Sequence, residues 1–383
     1  MTTIARPSLE RRLFAALDAS PPRLPVVLGG CGTGRTPLLL DLHRQIGSHR
    51  AQYIDLEHSA STPERFHRAV CLDSPFVAAD VGLAPASPRD AIEATLAFLT
   101  GARDADGGRA TFLLDEVLEF RTFESFPGLR HVMRDVLDAL GGSTNRFVLT
   151  TRYTARALRW LRDAGPLVEV VQVPPLDVSE IRDAAAAANW SVGDLDDTAR
   201  IVHALTEGHP GHGEALLTAL AGSRRPDEAD PVATLARLLE PGGALARRLG
   251  WCYELRLHRA RGYGALKGIL SILAEEEPLT LTEIALRLQR TPGSTKDYLS
   301  WLEDVDLVRV ARKRYTFTDP LLRLWVRLHC RPSPAGEDDI VREVRQYALA
   351  RLPAATAEPA MAMATAHAAG DEERKTWGII EID

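Results

Sequence analysis

The strongest structural signal in this chain is the octapeptide Gly29-Gly30-Cys31-Gly32-Thr33-Gly34-Arg35-Thr36. An apolar run, Pro25-Val26-Val27-Leu28, precedes it, and a leucine-rich amphipathic segment at residues 38–42 follows. The spacing matches the pattern G-x-x-x-x-G-K-[S/T] at every position but one, because Arg35 occupies the lysine position. Glycines at such a turn allow backbone N–H groups to surround phosphate oxygens at the beginning of a helix. The segment therefore predicts a buried strand, a phosphate-binding loop and a helix, in that order.

Two residues of this loop are unusual for its type. Arginine binds phosphate through a planar fork but is bulkier than lysine, so we expect Arg35 to preserve binding and to change the geometry for hydrolysis. Pro37 is compatible with the first turn of a helix, where backbone N–H groups have no intrahelical partner. We expect the whole loop to hold nucleotide, through Gly29, Gly30, Cys31, Gly32, Thr33, Gly34, Arg35, Thr36 and Pro37.

A second apolar segment, residues 110–114, ends in the acidic pair Asp115-Glu116. Such a pair is common in isolation, but downstream of a phosphate loop it is typical of a Walker B motif. In that motif the first acid holds the hydration shell of Mg²⁺ and the second orients and deprotonates the attacking water. The sequence therefore predicts a Mg²⁺ site at Thr36 and Asp115, with Glu116 as the catalytic base.

The order of elements predicts an α/β fold with further helical domains. Strands alternate with helices over residues 20–175, which predicts a three-layer sheet with helices on both faces, although residues 59–88 suggest only short helical pieces. We expect a P-loop nucleotide-binding domain at 1–175 and a helical lid at 176–258, which contains a polar linker at 223–231. Three helices followed by two strands predict a winged-helix domain at 259–331. Residues 332–383 are expected to form one helix and a flexible tail.

Composition limits the classes of function. The chain has 383 residues, a formal net charge of -6 and 45% hydrophobic residues, which predict two or three globular domains and argue against nucleic-acid binding driven by bulk charge. We expect no signal peptide, no membrane span and a cytoplasmic location. The histidines His203, His209 and His212 do not form a convincing metal site, because His203 is expected to be packed and the other two to lie in a turn of the lid.

Five motifs in order resemble those of a known group. They are the phosphate loop, Asp115-Glu116, Thr150-Thr151-Arg152, Gly208-His209-Pro210 and the run from Tyr315 to Trp325. Together they resemble the STAND class of AAA+-like P-loop ATPases, and most closely the archaeal-type (prokaryotic) ATPases with a winged helix, over roughly residues 8 to 330. The resemblance implies ATP or ADP and Mg²⁺ as cofactors, a γ-phosphate contact from Arg152, and a position for Pro210 near the nucleotide base.

These features lead us to expect an ATP-binding molecular switch with slow ATP hydrolysis, in which nucleotide state re-orients the lid and the winged helix. The alternative is a winged-helix DNA-binding regulator with a non-hydrolysing or vestigial P-loop domain. A third possibility is a scaffold that senses ATP only for oligomerisation.

The sequence also suggests partners besides the nucleotide. Arg134 and Arg146 are candidates for self-association, by reaching the nucleotide of a neighbouring subunit, although both also suit an ordinary solvated surface. The winged helix could bind DNA or a protein. Its wing turn is basic, with Arg309, Arg312, Lys313 and Arg314, which favours contact with phosphate. Its expected recognition helix has one cation, Lys296, but also three acids that repel phosphate: Asp297, Glu303 and Asp304.

Overall fold

The computed structural model describes residues 4–77, 85–162, 164–188, 194–223, 230–258, 260, 262–333 and 335–352. The chain forms two compact units. The N-terminal unit is Arg6–Pro174, and the C-terminal unit is Pro175–Asp383 together with Met1–Ala5. The linker predicted at residues 223–231 falls, between 224 and 229, outside the described residues, and so does the predicted tail from residue 353 onward.

A parallel β-sheet forms the centre of the N-terminal unit. Its five strands have the spatial order β2-β3-β4-β1-β5. They are β1 (Leu24–Leu28), β2 (Ala51–Asp55), β3 (Thr111–Asp115), β4 (Arg146–Thr151) and β5 (Val168–Gln172). The predicted α/β class with a parallel sheet is therefore confirmed.

Helices cover both faces of this sheet. They are α1 (Pro7–Leu17), α2 (Arg35–Ile46), α3 (Leu56–Ser59), α4 (Pro63–Leu72), α5 (Pro88–Gly101), α6 (Val132–Gly141) and α7 (Thr154–Trp160), with a 3₁₀ helix at Val117–Ser125. Alternate residues of a strand point to opposite faces, so Val27 packs with α1 and α2, whereas Val26 and Leu28 join the larger core on the other side. Burial on both faces explains why β1, β3 and the middle of β4 are mostly apolar, whereas the edge strands β2 and β5 also contain polar residues.

The region at residues 59–88 contains more regular structure than the sequence suggested. Helix α4 has ten residues, and the side chain of Thr62 caps it by accepting the N–H of Arg65. Pro63 at the first helical position has no N–H to lose there, and Phe66 and Val70 anchor the helix in the core. Thr62 and Pro63, in a region where the sequence suggested only short helical pieces, are thus the N-terminal signals of a ten-residue helix.

The sheet register brings the carboxyl ends of three strands to the same edge. Leu28 of β1 is paired with Thr151 of β4, and Leu114 of β3 is paired with Leu149 of the same strand. The residues that follow these strand ends are therefore neighbours in space, although they are distant in sequence. In parallel α/β sheets this edge is the usual location of ligand sites.

The C-terminal unit is mainly helical. Its helices are α8 (Val178–Ala187), α9 (Leu195–Thr206), α10 (Pro210–Ala221), α11 (Pro231–Leu239), α12 (Ala244–Leu257), α13 (Tyr263–Glu275), α14 (Leu281–Leu288), α15 (Pro292–Asp304), α16 (Pro320–His329) and α17 (Glu337–Leu349). A small antiparallel sheet of three strands has the order β6-β8-β7, with β6 at Leu279–Thr280, β7 at Val308–Ala311 and β8 at Arg314–Phe317. Thr280 forms a capping box with Glu283 at the start of α14.

Candidate functional site

The predicted phosphate loop connects β1, an interior strand between β4 and β5, to the N-terminus of α2. Gly34 is the residue before this helix and has a φ of 88°, in the left-handed region that glycine adopts without strain. The turn therefore places the first N–H groups of α2 at the carboxyl edge of the sheet. Free N–H groups at a helix N-terminus are the usual donors to phosphate oxygens.

The start of the loop is folded tightly on itself. The hydroxyl and the N–H of Thr33 both donate to the carbonyl oxygen of Gly30, at 3.0 Å and 3.4 Å. A Cβ atom added at Gly29 would lie only 2.5 Å from Oγ1 of Thr33. The absence of a side chain at Gly29 therefore leaves room for the Thr33 side chain, which would have to shift if a Cβ atom were present. This compact backbone cradle fits a phosphate group.

Asp115 lies at the end of β3 and receives three hydroxyl donors. Oγ1 of Thr36 donates to its Oδ2 at 2.6 Å, and the hydroxyl of Tyr53 donates to the same oxygen at 3.0 Å. Thr150 donates to Oδ1. A carboxylate beside hydroxyl groups is a set of hard oxygen atoms, which is the chemistry that Mg²⁺ prefers. The residues present thus fit the predicted ion.

Glu116 is held at the same edge by a strained turn and by cations. Its φ is 59°, an uncommon left-handed value for a residue with a side chain, and its N–H donates to Oγ1 of Thr150 at 3.3 Å. Oε1 of Glu116 is 2.8 Å from Nη1 of Arg35, and both side chains are buried. The unusual arginine is therefore paired with the predicted catalytic base.

Arg152 completes this buried ion-pair network. Its Nε lies 3.0 Å from Oε1 of Glu116, its backbone N–H donates to Oε2 at 3.1 Å, and its Nη2 is paired with Glu57. Burial opposes its charge, but Glu116 and Glu57 outweigh that effect and raise the pKa of Arg152. Each carboxylate oxygen of Glu116 thus has a partner within the protein.

Two residues of the network, Tyr53 and Glu57, had not been singled out from the sequence, and Thr150 was named there only as part of the Thr150-Thr151-Arg152 motif. Tyr53 lies on β2, next to β3, and burial together with Asp115 raises the pKa of its phenol, so it remains a neutral donor. Glu57 follows the end of the same strand. The available signal was the polar residues at the end of β2. The adjacency of β2 and β3, which gives this signal meaning, became known only from the fold.

Other predicted site residues lie elsewhere. Pro210 begins α10 in the C-terminal unit, so its predicted place near a nucleotide base stays a prediction. Arg134 lies on α6, 3.6 Å from Asp138, and Arg146 at the start of β4 donates to Asp18 at 2.8 Å. Both arginines therefore have acidic neighbours in their own unit.

The turn between β7 and β8 is strongly basic. Arg312 and Lys313 form its tip with φ values of 50° and 64°, and both are exposed. Arg309 and Arg314 flank them and are also exposed. Arg314 is held at the turn by donating to the carbonyl oxygen of Pro278 at 3.1 Å. The turn presents these cations at the surface of the C-terminal unit.

Comparison with known proteins supports the fold. The structure is similar to that of a Walker-type ATPase of Pyrococcus abyssi, with 17% sequence identity and a TM-score of 0.59, over 85% of this chain and 96% of that one. A weaker similarity is found to the Orc1 protein of Aeropyrum pernix in complex with DNA, with 17% sequence identity and a TM-score of 0.44, over 84% of this chain and 91% of that one. Another is found to the RuvB Holliday junction branch migration motor of Thermotoga maritima, with 14% sequence identity and a TM-score of 0.43, over 83% of this chain and 93% of that one.

Comparison by sequence gives a different result. No protein-family model matches the chain. No curated protein matches it either. The Pyrococcus abyssi similarity therefore supports the overall fold alone and leaves the chemistry to be argued from the residues. None of the described helices is both long and apolar enough to span a membrane.

Proposed function

We propose that this protein is an ATP-binding switch that hydrolyses ATP slowly, with Mg²⁺ as its cofactor. The observation that carries the proposal is the meeting of the phosphate loop, the Thr36–Asp115 pair and Glu116 at one edge of a parallel sheet. The Walker-type fold agrees with this assignment. The same location is expected for a nucleotide in α/β proteins generally.

The loop would hold the phosphates mainly through its backbone. Gly29 and Gly34 keep the loop close to the N-terminus of α2, whose dipole favours an anion. Pro37 has no N–H, so the first turn of α2 offers one donor fewer than usual. Arg35 would supply the positive charge of the loop once its guanidinium turns from Glu116 to phosphate.

Thr36 and Asp115 would hold the cation. A bound Mg²⁺ neutralises charge on the β- and γ-phosphates and helps to orient them. Oδ2 of Asp115 already accepts hydrogen bonds from Thr36 and Tyr53, so the carboxylate is fixed at the sheet edge before any ligand enters. Such pre-organisation reduces the entropy lost on binding.

The network around Glu116 explains why hydrolysis is expected to be slow. A general base must be free to accept a proton from water, but both oxygens of Glu116 accept from arginines. Arg152 is also paired with Glu57, so its guanidinium would have to leave this carboxylate before it could contact the γ-phosphate as the family resemblance implies. Binding of ATP would have to rearrange these pairs before water could be activated.

The first experiment measures Mg–ATP binding and phosphate release by the wild-type protein, Asp115→Asn, Glu116→Gln and Arg35→Ala. Arg89→Ala serves as a matched control, because it removes an exposed arginine of the same unit to which no role in nucleotide binding is assigned. We expect Asp115→Asn and Arg35→Ala to weaken binding at least about tenfold, and Glu116→Gln to bind ATP without turnover. Absence of nucleotide binding by the wild-type protein would reject the proposal.

The switch itself concerns the C-terminal unit, which we interpret as a helical lid followed by a winged helix. Three helices (α13 to α15) and the hairpin of β7 and β8 have the order of elements of that module. In the proposal, nucleotide exchange changes its orientation, with Pro210 near the base. Hydrogen exchange of residues 175–352 with ATP, with ADP and without nucleotide tests this step, and identical exchange in all three states would contradict it.

DNA binding is the second candidate function, and the exposed basic turn at residues 309–314 favours it. Neutralising Arg312 and Lys313 with glutamine should weaken duplex binding and reduce its salt dependence if the turn contacts phosphate. Arg134→Gln, which removes an exposed arginine of the N-terminal unit, provides the control for the loss of surface positive charge. Unchanged DNA affinity in the double variant would show that the turn does not bind DNA.

Self-association is tested separately, by light scattering with and without ATP.

A further inference from the structure

A cluster of three potential metal ligands lies within the C-terminal unit, apart from the phosphate loop in sequence and fold. His209 and His212 lie at the beginning of α10, and Asp319 immediately precedes α16. One ligand atom from each side chain lies within 4.8 Å of those of the other two. The set had been missed because its third member comes from an element more than a hundred residues away.

The three side chains are held in place by their surroundings. Nε2 of His212 is 2.8 Å from Oδ2 of Asp319, and the rings of His209 and His212 stack with their centroids 3.7 Å apart. Oδ1 of Asp319 accepts the N–H groups of Leu321 and Leu322, at 2.9 Å and 3.2 Å. This capping role fixes the carboxylate and leaves Oδ2 directed at the histidines. Such supporting hydrogen bonds are typical around metal ligands.

A simple hydrogen bond between two helices does not account for the whole arrangement. It would need only His212 and Asp319, whereas His209 is stacked onto the pair. His212 is 3% exposed, and its Nδ1 is buried without a hydrogen-bond partner among the described residues. Buried polar atoms without a partner are uncommon, and an ion or a water molecule is one of the partners that satisfy them.

We propose that His209, His212 and Asp319 form a binding site for a divalent transition-metal ion such as Zn²⁺. Two imidazoles and a carboxylate are the ligand types that Zn²⁺ and its neighbours accept, with a fourth position left for water. Ligand atoms around a tetrahedral Zn²⁺ are separated by roughly 3.4 Å, so the cluster must contract slightly by side-chain rotation. The hydrogen bond from the N–H of His212 to Nδ1 of His209 is long, at 3.3 Å, and is easily given up.

The bound ion would join the N-termini of α10 and α16. These helices belong to the segments that contain Gly208-His209-Pro210 and the Tyr315–Trp325 run, so the ion would fix two of the motifs relative to each other. The proposal does not rest on ATP binding, although His209 directly precedes Pro210, which the proposed switch places near the nucleotide base. The site uses none of the residues of the N-terminal unit.

The experiment uses the full chain, treated with chelator, desalted and kept in a millimolar excess of MgCl₂ so that hard-oxygen sites are occupied. Cys71 is replaced by serine in every protein, because its thiol lies 3.6 Å from Nδ1 of His67 and could bind Zn²⁺ itself. ZnCl₂ is then titrated calorimetrically, and CoCl₂ is added separately to record the visible absorption bands of a four-coordinate site. The variants are His209→Ala and Asp319→Asn, with His203→Ala as a histidine control on α9.

The wild-type side chains at these positions should bind one equivalent of Zn²⁺ and give intense Co²⁺ bands, and His203→Ala should do the same. Both cluster variants should bind at least about tenfold more weakly and lose the bands. The Asp319→Asn variant keeps a side-chain oxygen for capping α16, and circular dichroism checks that each variant is folded. No Zn²⁺ uptake by the parent protein, or equal uptake by all variants, would overturn the proposal.

Discussion

Arg35 differs from the usual lysine in what it contacts as well as in its shape. Its Nη1 is 2.8 Å from Glu116 in a buried pair, and its Nε is buried without a hydrogen-bond partner among the described residues. Lysine is a single charge on a flexible stem and does not form the planar fork of arginine. Arg35 therefore contributes to the charge of the phosphate loop and also occupies a carboxylate oxygen of Glu116, the predicted catalytic base.

We expect Arg35→Lys to accelerate ATP hydrolysis about tenfold or more. The shorter side chain of lysine would release Glu116 and return a compact charge to the phosphates. Phosphate release at saturating Mg–ATP measures the effect. The double variant Arg35→Lys with Glu116→Gln should lose the gain, and unchanged turnover by the single variant with intact ATP binding would refute the explanation of slow hydrolysis.

Arg35→Ala should destabilise the protein by about 2 kcal/mol, since it leaves a buried carboxylate with one cation fewer. The side chains of Arg35 and Glu116 are only 8% and 7% exposed, so solvent screens their interaction little. Arg152 still contacts Glu116, which keeps the loss below the roughly 3–5 kcal/mol typical of breaking a buried pair. Urea denaturation provides the measurement.

The matched control for this stability prediction is Arg134→Ala. Arg134 is 84% exposed and 3.6 Å from Asp138, and such a surface pair contributes less than about 1 kcal/mol. The double variant Arg35→Met with Glu116→Gln should recover part of the loss, because no unpaired charge remains. Equal stabilities of Arg35→Ala and Arg134→Ala would show that the buried pair contributes nothing.

Single residues of the candidate site were predicted unevenly from the sequence. Motif spacing indicated Thr36, Asp115 and Glu116, which lie together at the sheet edge. It did not indicate that Arg35 would pair with Glu116, or that Glu57 would attract Arg152. Spacing reports local backbone geometry, whereas the choice of ionic partner depends on side chains brought together by the whole fold.

Among the elements, the edge strand β5 is joined to α1 by charge. Glu169 on β5 lies 2.9 Å from Arg12 on α1 and 3.2 Å from Arg23, just before β1. Burial raises the pKa of Glu169, but hydrogen bonds from these arginines outweigh it and lower the pKa below its ordinary value of 4.5. A depressed carboxylate pKa stabilises the folded state at pH values above the unfolded pKa.

Glu169→Gln should therefore reduce the free energy of unfolding by less than about 1 kcal/mol at about pH 7, because the arginines are 50% and 58% exposed. The difference between the variant and the wild type should vanish as the pH falls below about 4.5 and through the lowered folded pKa. Urea denaturation across this pH range checks the sign. A difference that grows in acid would contradict the assignment.

The elements themselves were largely predictable. Apolar runs located β1 and β3, because strands buried on both faces need a continuous hydrophobic sequence. Helix α4 was underestimated, since Thr62 and Pro63 resemble loop residues unless they are recognised as a cap and a first turn.

For the whole molecule, the two units suggest a separable nucleotide-binding half. The segment Arg6–Pro174 contains every strand of the parallel sheet and both hydrophobic clusters that cover it. We expect this segment, expressed alone, to give native-like circular dichroism and a cooperative thermal transition. Strong binding of a hydrophobic dye and a loss of near-ultraviolet signal would contradict this expectation.

At this scale the sequence predicted the α/β class and the change to helices near residue 175. The finer division, with boundaries at 258 and 331, stays a prediction, as do the names lid and winged helix. Periodicity identifies elements, but it does not reveal which of them share a hydrophobic core. That information depends on long-range packing, such as the pairing of α13 with α16 in the C-terminal unit.

The network at the sheet edge has a further consequence for the order in which ligands arrive. Its carboxylates, Asp115, Glu116 and Glu57, outnumber its guanidinium groups, those of Arg35 and Arg152. A nucleotide that enters without a cation therefore adds negative charge to a pocket that already has an excess of it. We expect chelation of Mg²⁺ to weaken ATP binding at least about tenfold, and Asp115→Asn to reduce that dependence. Equal affinities with and without Mg²⁺ would mean that the arginines leave their carboxylates readily, and that the metal enters after the nucleotide.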